Sequence, residues 1–294
     1  MLTSLPAPQI VELDGADALV FTQAQFASDV AAIEPGHWQW SAWLSAQGRV
    51  RSFFHLLRIA ERRFQILLRG GSAALLRDQL ARYVMRAKVQ VRVIADVHAY
   101  ASADSADLKQ LLEPPRGMQM SAKDDSLCIA MPGGSRWLLL AASPPPAIAS
   151  DDSMIARAAA ALADIDAGIV TVEQTLEDRL FPDWIGLREL GAVSVRKGCY
   201  PGQEVVARLH FKGGNKRWLH RIAFAAESLP APGSWLPAEG ENAALVLCSA
   251  PTGARGGRAL VAAREDVDIG RLAENRADIV IEKIERVRLG SQQN

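Results

Sequence analysis

A chain of 294 residues, 49% hydrophobic and 22% charged, can bury at least one substantial core and has the length of about two domains. Lysine plus arginine and aspartate plus glutamate both number 33, so the formal net charge is zero and no basic excess points to nucleic acid or an anionic membrane. Residues Met1 to Ile10 lack the cationic start and apolar middle of a secretion signal, and no apolar run reaches bilayer length. Cys128, Cys199 and Cys248 are an odd, widely spaced set without a Cys-x-x-Cys pair. That argues against a disulfide framework, a zinc site or a four-thiolate cluster held by one chain, and points to a reducing cytoplasm.

In chain order, Ile10 to Leu13 reads as a short strand, and the turn Asp14-Gly-Ala-Asp17 caps a helix over Ala18 to Phe26, closed by Asp29 and Val30. Trp38 to Leu44, the turn Ala46 to Arg49 and the imperfect alternation of Val50 to Ile59 predict paired strands, with Phe64 to Leu68 as another. Ser72 to Val84 places Leu75, Leu76, Leu80 and Val84 at helical spacing behind a Ser72 cap, and Lys88 to Ile94 alternates as a strand. A break over Ser143 to Asp152 precedes an alanine-rich helix from Met154 to Ala163. Beyond Pro230 to Gly233, Ala243 to Cys248 and Arg258 to Ala263 flank the turn Gly253 to Gly257 as a hairpin, and Ile279 to Val287 ends a small β domain. The pattern is α+β rather than repeating βαβ.

The chemistry concentrates in Lys197-Gly-Cys-Tyr-Pro-Gly-Gln-Glu204. Its proline and carboxylate, with Arg208 later, favour a helix starting near Pro201 or Gly202, which sets Cys199 just before a helix N-terminus. Unpaired amides, the positive dipole end and Lys197 then make Cys199 a candidate reactive thiol. A strand over Val205 to Phe211 is the alternative, and it leaves only Lys197 to act on the thiol. A lone cysteine taken by spacing alone is more often a small core residue.

The octapeptide is similar to the signature of the YgfZ family, folate-binding relatives of the glycine-cleavage T-protein that support maturation or repair of iron–sulfur enzymes. The likeness continues through Leu187 to Ser194 and Val206 to Arg217. It returns near the start at Gly15, Asp17, Phe21, Gln23, Gln25, Asp29 and Val30 and at Gly48-Arg49, and it is weak over Ala101 to Ser153. The resemblance implies an aminomethyltransferase (T-protein)-like folate-binding body over residues 1–214 and a C-terminal β-barrel domain over 215–294. It implies tetrahydrofolate or a derivative as cofactor, and iron–sulfur client or assembly proteins as partners.

Cys199 and Lys197 are the catalytic candidates, and Asp166, Tyr200 and Gln203 the cofactor-binding ones. Asp166, in Asp164-Ile-Asp-Ala-Gly168, stands where relatives carry a glutamate that holds the pterin, one methylene longer. A locally satisfied helix or turn end is its equal alternative. Two tryptophans of the relatives fall at Pro8 and Ala160. Trp38, Trp40 and Trp43 offer another stacking wall, though such alternation more often marks a packed strand face. No metal site is expected, because none of the five histidines has a partner at zinc-ligand spacing. The glycine pairs read as turns, and Arg58, Arg62, Arg63 and Lys212, Lys216, Arg217 as solvated runs, the second abutting the motif. The implied function is a folate-dependent accessory factor for iron–sulfur enzymes, including tRNA-modifying ones. A tetrahydrofolate-dependent aminomethyltransferase or demethylase and a non-catalytic assembly scaffold are the alternatives, so enzymatic activity stays open.

Overall fold

In the computed structural model of the chain, residues 1–145, 150–264, 266–268, 271–273, 276 and 278–289 are described. Part of the expected break, 146–149, and parts of the expected C-terminal domain, including 290–294, lie outside them.

Strands β1 (Leu2–Ser4) and β2 (Ile10–Asp14) come first, and helix α1 (Ala18–Gln25) follows the predicted turn. Asp17 stands at the N-cap of α1, but its carboxylate accepts instead from the Lys88 amide, at 2.7 Å. Next come β3 (His37–Leu44), β4 (Val50–Ala60), β5 (Arg63–Leu68), α2 (Ala73–Val84) and β6 (Gln90–Ile94). The Ser72 hydroxyl caps α2, accepting from the Leu75 amide. The strands form an antiparallel sheet in the order β3-β4-β5-β2-β6.

Because successive strand side chains point to opposite faces, β3 divides its tryptophans. Trp38 and Trp40 join Phe53 and Leu57 on one face, whereas Trp43 joins Phe54 and Leu56 on the other, which also buries Phe21 of α1 and Leu76 and Leu80 of α2. The tryptophans are therefore a packed strand, buried on both sides.

A second sheet is built from β1 and from the stretch that showed little family likeness: β7 (His98–Ser102), β8 (Met120–Lys123), β9 (Ser126–Ala130), β10 (Trp137–Ala141) and β11 (Ser150–Asp151), with the short helix α3 (Ser105–Lys109) after β7. Its order is β11-β1-β7-β10-β9-β8. β1 thus sits inside a sheet whose other strands come roughly a hundred residues later, paired parallel to β11 and antiparallel to β7.

Helix α4 (Met154–Asp166) runs three residues past its expected end, with the Ser153 hydroxyl accepting from the Ala156 amide. After α5 (Gln203–Lys212) the chain forms β12 (Trp218–Ala226), β13 (Trp235–Ala238), β14 (Glu241–Pro251), β15 (Gly257–Ala263) and β16 (Ile279–Arg286). These make an antiparallel sheet in the order β13-β14-β15-β12-β16, curled into a half-barrel, with β14 and β15 as the expected hairpin.

One continuous core joins the three sheets, taking Trp40 and Leu57 from the first, Ile129 and Leu138 from the second, and Leu245 and Leu260 from the third. Between α4 and Cys199 the chain is mostly irregular, yet Ile169, Val170, Leu176, Leu180 and Leu187 are buried in that core. Its main-chain groups find partners on the first sheet: the Val172 amide donates to Arg69 O at 2.7 Å, and Leu180 O accepts from the Val50 amide at 2.9 Å. The segment reaches Cys199 on a fixed track.

Candidate functional site

The Cys199 segment is anchored from below. The Ser194 amide donates to Ala27 O at 2.8 Å, and its hydroxyl accepts from the amides of Arg196 and Lys197, both at 3.2 Å. The Lys197 ammonium, at a residue only 8% exposed, donates to Phe26 O at 2.5 Å and to Gln23 O. It so satisfies carbonyls at the end of α1, where a cation suits the negative dipole end. Burial lowers the Lys197 pKa to about 8, and the charge of Asp29 opposes that shift. Gln23, Asp29 and Val30, three of the positions that carry the family likeness, form one cluster beneath this lysine. The Gln23 side chain accepts from the Val30 amide at 2.7 Å and donates to Asp29 at 3.0 Å.

On the far side, the Tyr200 hydroxyl donates to Ser194 O at 2.8 Å, and the Gln203 amide nitrogen donates to Lys197 O at 3.0 Å. Burial, helped by the charge of Asp183, pushes the Tyr200 phenol up to about 12. The helix starts at Gln203, within two residues of the expected position, and the strand alternative for Val205 to Phe211 does not occur. Its N-cap is Gly202 at φ 79°, where an added Cβ would lie 2.4 Å from Ser45 O. The β3–β4 turn answers with Gly48, also at positive φ, whose Cβ would come 2.9 Å from that of Val205. Two glycines thus let the turn and the helix start touch backbone to backbone.

Cys199 is the residue that this framework leaves outside. It is exposed, while Cys128 is buried and Cys248 half-buried. Burial pushes the thiols of Cys128 and Cys248 up to about 12 and about 11, which keeps both protonated and poorly nucleophilic. On α5 the exposed residues Glu204, Arg208, Phe211 and Lys212 follow at helical spacing, so one face of that helix continues the surface that carries the thiol.

The three expected cofactor residues do not gather in one place. Tyr200 and Gln203 are bound into the cysteine segment, whereas Asp166, at the end of α4, is paired with the half-barrel. Its carboxylate takes Arg258 at 2.7 Å and 2.8 Å and Arg221 at 3.2 Å, beside Lys283 and Glu285 in a pocket of about 330 Å³. Two residues earlier, Asp164 faces elsewhere and joins Arg69 and Arg136, each at 2.5 Å. Burial works to raise the Asp164 carboxyl, and the two guanidinium groups outweigh it, leaving the carboxyl below the usual range.

A group that the sequence did not mark lies on the inner face of β3 and β4. His55 is fully buried, its ring 4.0 Å from that of Trp40 and 5.0 Å from that of Trp38. The indole nitrogens of both tryptophans and both nitrogens of His55 lack a hydrogen-bond partner among the described residues. The Leu67 main chain acts on the His55 charge without making a hydrogen bond of normal geometry. Burial, the largest influence, and the charge of Arg69 hold this histidine well below its ordinary pKa, so it is neutral. Buried polar atoms are ordinarily bonded, and these four stand out as exceptions enclosed in the packed core. A single histidine in an apolar strand gives no signal of this in the sequence.

The three sheets around one core, with the cysteine segment tied to the first of them, define a protein of the aminomethyltransferase fold. The glycine cleavage system aminomethyltransferase T of Bartonella henselae superposes with a TM-score of 0.66 at 15% identity, over 90% of this chain and 78% of that one. Among known sequences, the chain is 28% identical over 233 residues to the tRNA-modifying protein YgfZ of Edwardsiella ictaluri, covering 75% of this chain and 70% of that protein. It is 26% identical over 221 residues to an uncharacterized protein of Haemophilus influenzae, covering 73% and 70%. No protein-family model matches the chain. The chain is a YgfZ-type protein.

Proposed function

We propose that this chain is a folate-dependent accessory protein for the assembly or repair of iron–sulfur enzymes, tRNA-modifying enzymes among them, with Cys199 as its working thiol. The observation that carries the reading is the exposure of Cys199 in a segment where the side chains of Lys197, Tyr200 and Gln203 are tied down. A thiol held at the surface by a buried lysine, a tyrosine and two glycines is preorganised for a partner. The name of the Edwardsiella relative supports the link to tRNA modification, and the aminomethyltransferase fold supports a folate.

For a pterin to use Asp166, its carboxylate would have to exchange the pairs it already makes with Arg221 and Arg258. A bound tetrahydrofolate would supply one-carbon or pteridine redox chemistry. Lys197 and Tyr200 would hold the thiol segment in register, and Cys199 would meet the client.

Complementation of an iron–sulfur-enzyme defect tests the thiol. Cys199→Ala and Cys199→Ser are expected to fold, to lose the single fast-reacting thiol of the native chain, and to fail to complement. Full complementation by Cys199→Ala removes the thiol from the function. Quenching of tryptophan fluorescence by tetrahydrofolate is expected to saturate; its absence alongside intact complementation favours a scaffold without folate.

The fold likeness over 90% of the chain also favours a second reading, a tetrahydrofolate-dependent aminomethyltransferase. Turnover of an aminomethyl-loaded carrier protein by the pure chain would promote it. No turnover at saturating tetrahydrofolate removes it.

A further inference from the structure

The second sheet carries a pocket unrelated to the cysteine segment. It opens between the loop that follows α3 and the β9–β10 turn, with a volume of about 430 Å³. That is within the range of small-molecule sites. Its location separates it from Cys199: the loop joins the start of β3, where Met118 O accepts from the Trp38 amide, whereas Gly202 packs on Ser45 just past the end of β3. Seven residues of extended strand put roughly 23 Å between those points.

The lining is cationic. Lys109 and Arg116 stand at the pocket, exposed and without an ion pair among the described residues, and Glu113 is the one carboxylate of the lining. Arg136 is the fixed third cation. Its guanidinium is held from behind by Pro132 O at 2.8 Å, Ala163 O at 3.1 Å and Asp164. Since Asp164 is shared with Arg69, two guanidinium groups divide one carboxylate and a net positive charge is left at the floor.

The turn adds donors. The amides of Gly134 and Ser135 make no hydrogen bond among the described residues, and a Cβ on Gly134, at φ 108°, would meet nothing within 4 Å. Free consecutive amides in a glycine turn are the elements of an anion-binding concavity. Trp137 and Pro115 supply an apolar wall that is fixed in place, because the Trp137 indole donates to Pro115 O at 3.1 Å.

We propose that this pocket is a binding site for a small organic polyanion, a phosphate- or polycarboxylate-bearing metabolite. The charged groups meet Lys109, Arg116 and the Gly134 and Ser135 amides, and the ligand's apolar part lies on Trp137. The site is separate from the thiol and independent of the function proposed above.

Calorimetry and amide NMR of the full chain with pyrophosphate, and separately with citrate, test the proposal. Saturable binding of either anion is expected, with the shifts centred on Gly134 and Ser135. A Lys109→Ala/Arg116→Ala variant, altered only at exposed side chains, is expected to bind about tenfold more weakly or worse, as the loss of charge-assisted contacts implies. A Lys212→Ala/Lys216→Ala variant, which loses the same charge beside the cysteine segment, is expected to keep the wild-type affinity. Pyrophosphate binding alone assigns a phosphate ligand, and citrate binding alone a polycarboxylate. Binding of neither anion, equal binding by the wild type and the Lys109→Ala/Arg116→Ala variant, or an equal loss in the Lys212→Ala/Lys216→Ala control overturns the proposal.

Discussion

The cysteine segment and the end of α4 both carry residues expected to serve the function, and they treat them in opposite ways. Around Cys199, the side chains of Lys197, Tyr200 and Gln203 are spent on the framework, and the thiol is left exposed. At the end of α4, the carboxylates are themselves the framework: Asp164 joins two arginines within the body, and Asp166 joins the body to the half-barrel. A residue at a position expected to act therefore says little until its hydrogen bonds are known. Lys197 illustrates this within the cysteine segment. Its charge, which the sequence places beside the thiol, is directed to the carbonyls of Gln23 and Phe26.

The sharpest test of the contrast compares the two aspartates. Asp164→Ala leaves Arg69 and Arg136, only 15% and 16% exposed, without their shared partner, and is expected to cost about 3 kcal/mol or more in urea denaturation. Asp166→Ala removes exposed pairs and is expected to cost roughly 0–1 kcal/mol. A variant at Asp166 that is fully stable yet loses tetrahydrofolate binding would return that residue to the cofactor site.

Gly202→Ala probes the other side of the contrast. An alanine at φ 79° with its Cβ 2.4 Å from Ser45 O must move the helix start off the β3–β4 turn. A loss of about 2 kcal/mol is expected, with faster hydrogen exchange from Arg196 to Tyr200. Unchanged exchange there would mean that the turn does not hold the segment.

The smallest effect is a pH dependence at Lys197. Its folded-state pKa of about 8 lies below its ordinary value of 10.5, so between those limits the unfolded chain binds more protons than the folded one. Stability attributable to this group therefore rises as the pH climbs from 8 toward 10.5, and its charge is a cost to folding below that window. Urea midpoints of the wild type, relative to Lys197→Met, are expected to increase from about pH 7 to about pH 9.5. A flat difference would place the ammonium in a wetter setting than the one described.

Much of the first sheet was legible because its signals are local. The turn at Asp14 to Asp17, the short apolar stretch Phe64 to Leu68 and the Ser72 cap each act over a few residues, and each element formed within one or two residues of its expected bounds. The second sheet was not legible. Its strands are five residues or fewer, and β1 is stabilised by partners near residues 100 and 150 rather than by its own sequence. β12 and β13 were missed as well, although their partner hairpin β14–β15 was read. β12 has no short turn to its partners β15 and β16, whereas β13 meets β14 through the two-residue turn Glu239-Gly240, a local signal that was passed over.

The α+β class, the family likeness and a cysteine set a few residues before a helix start could be read from the chain's residues in order, because motif residues, caps and periodicity are properties of neighbouring residues. Which side chains are free to act was settled by folding. It sent Lys197 to α1, closed Asp166 between two arginines, withdrew two thiols and left Cys199 outside, and it gathered Lys109, Arg116 and Arg136 around one pocket. A hydrogen bond or ion pair of this kind joins residues far apart in the chain, and availability for chemistry is what remains after those pairs are made.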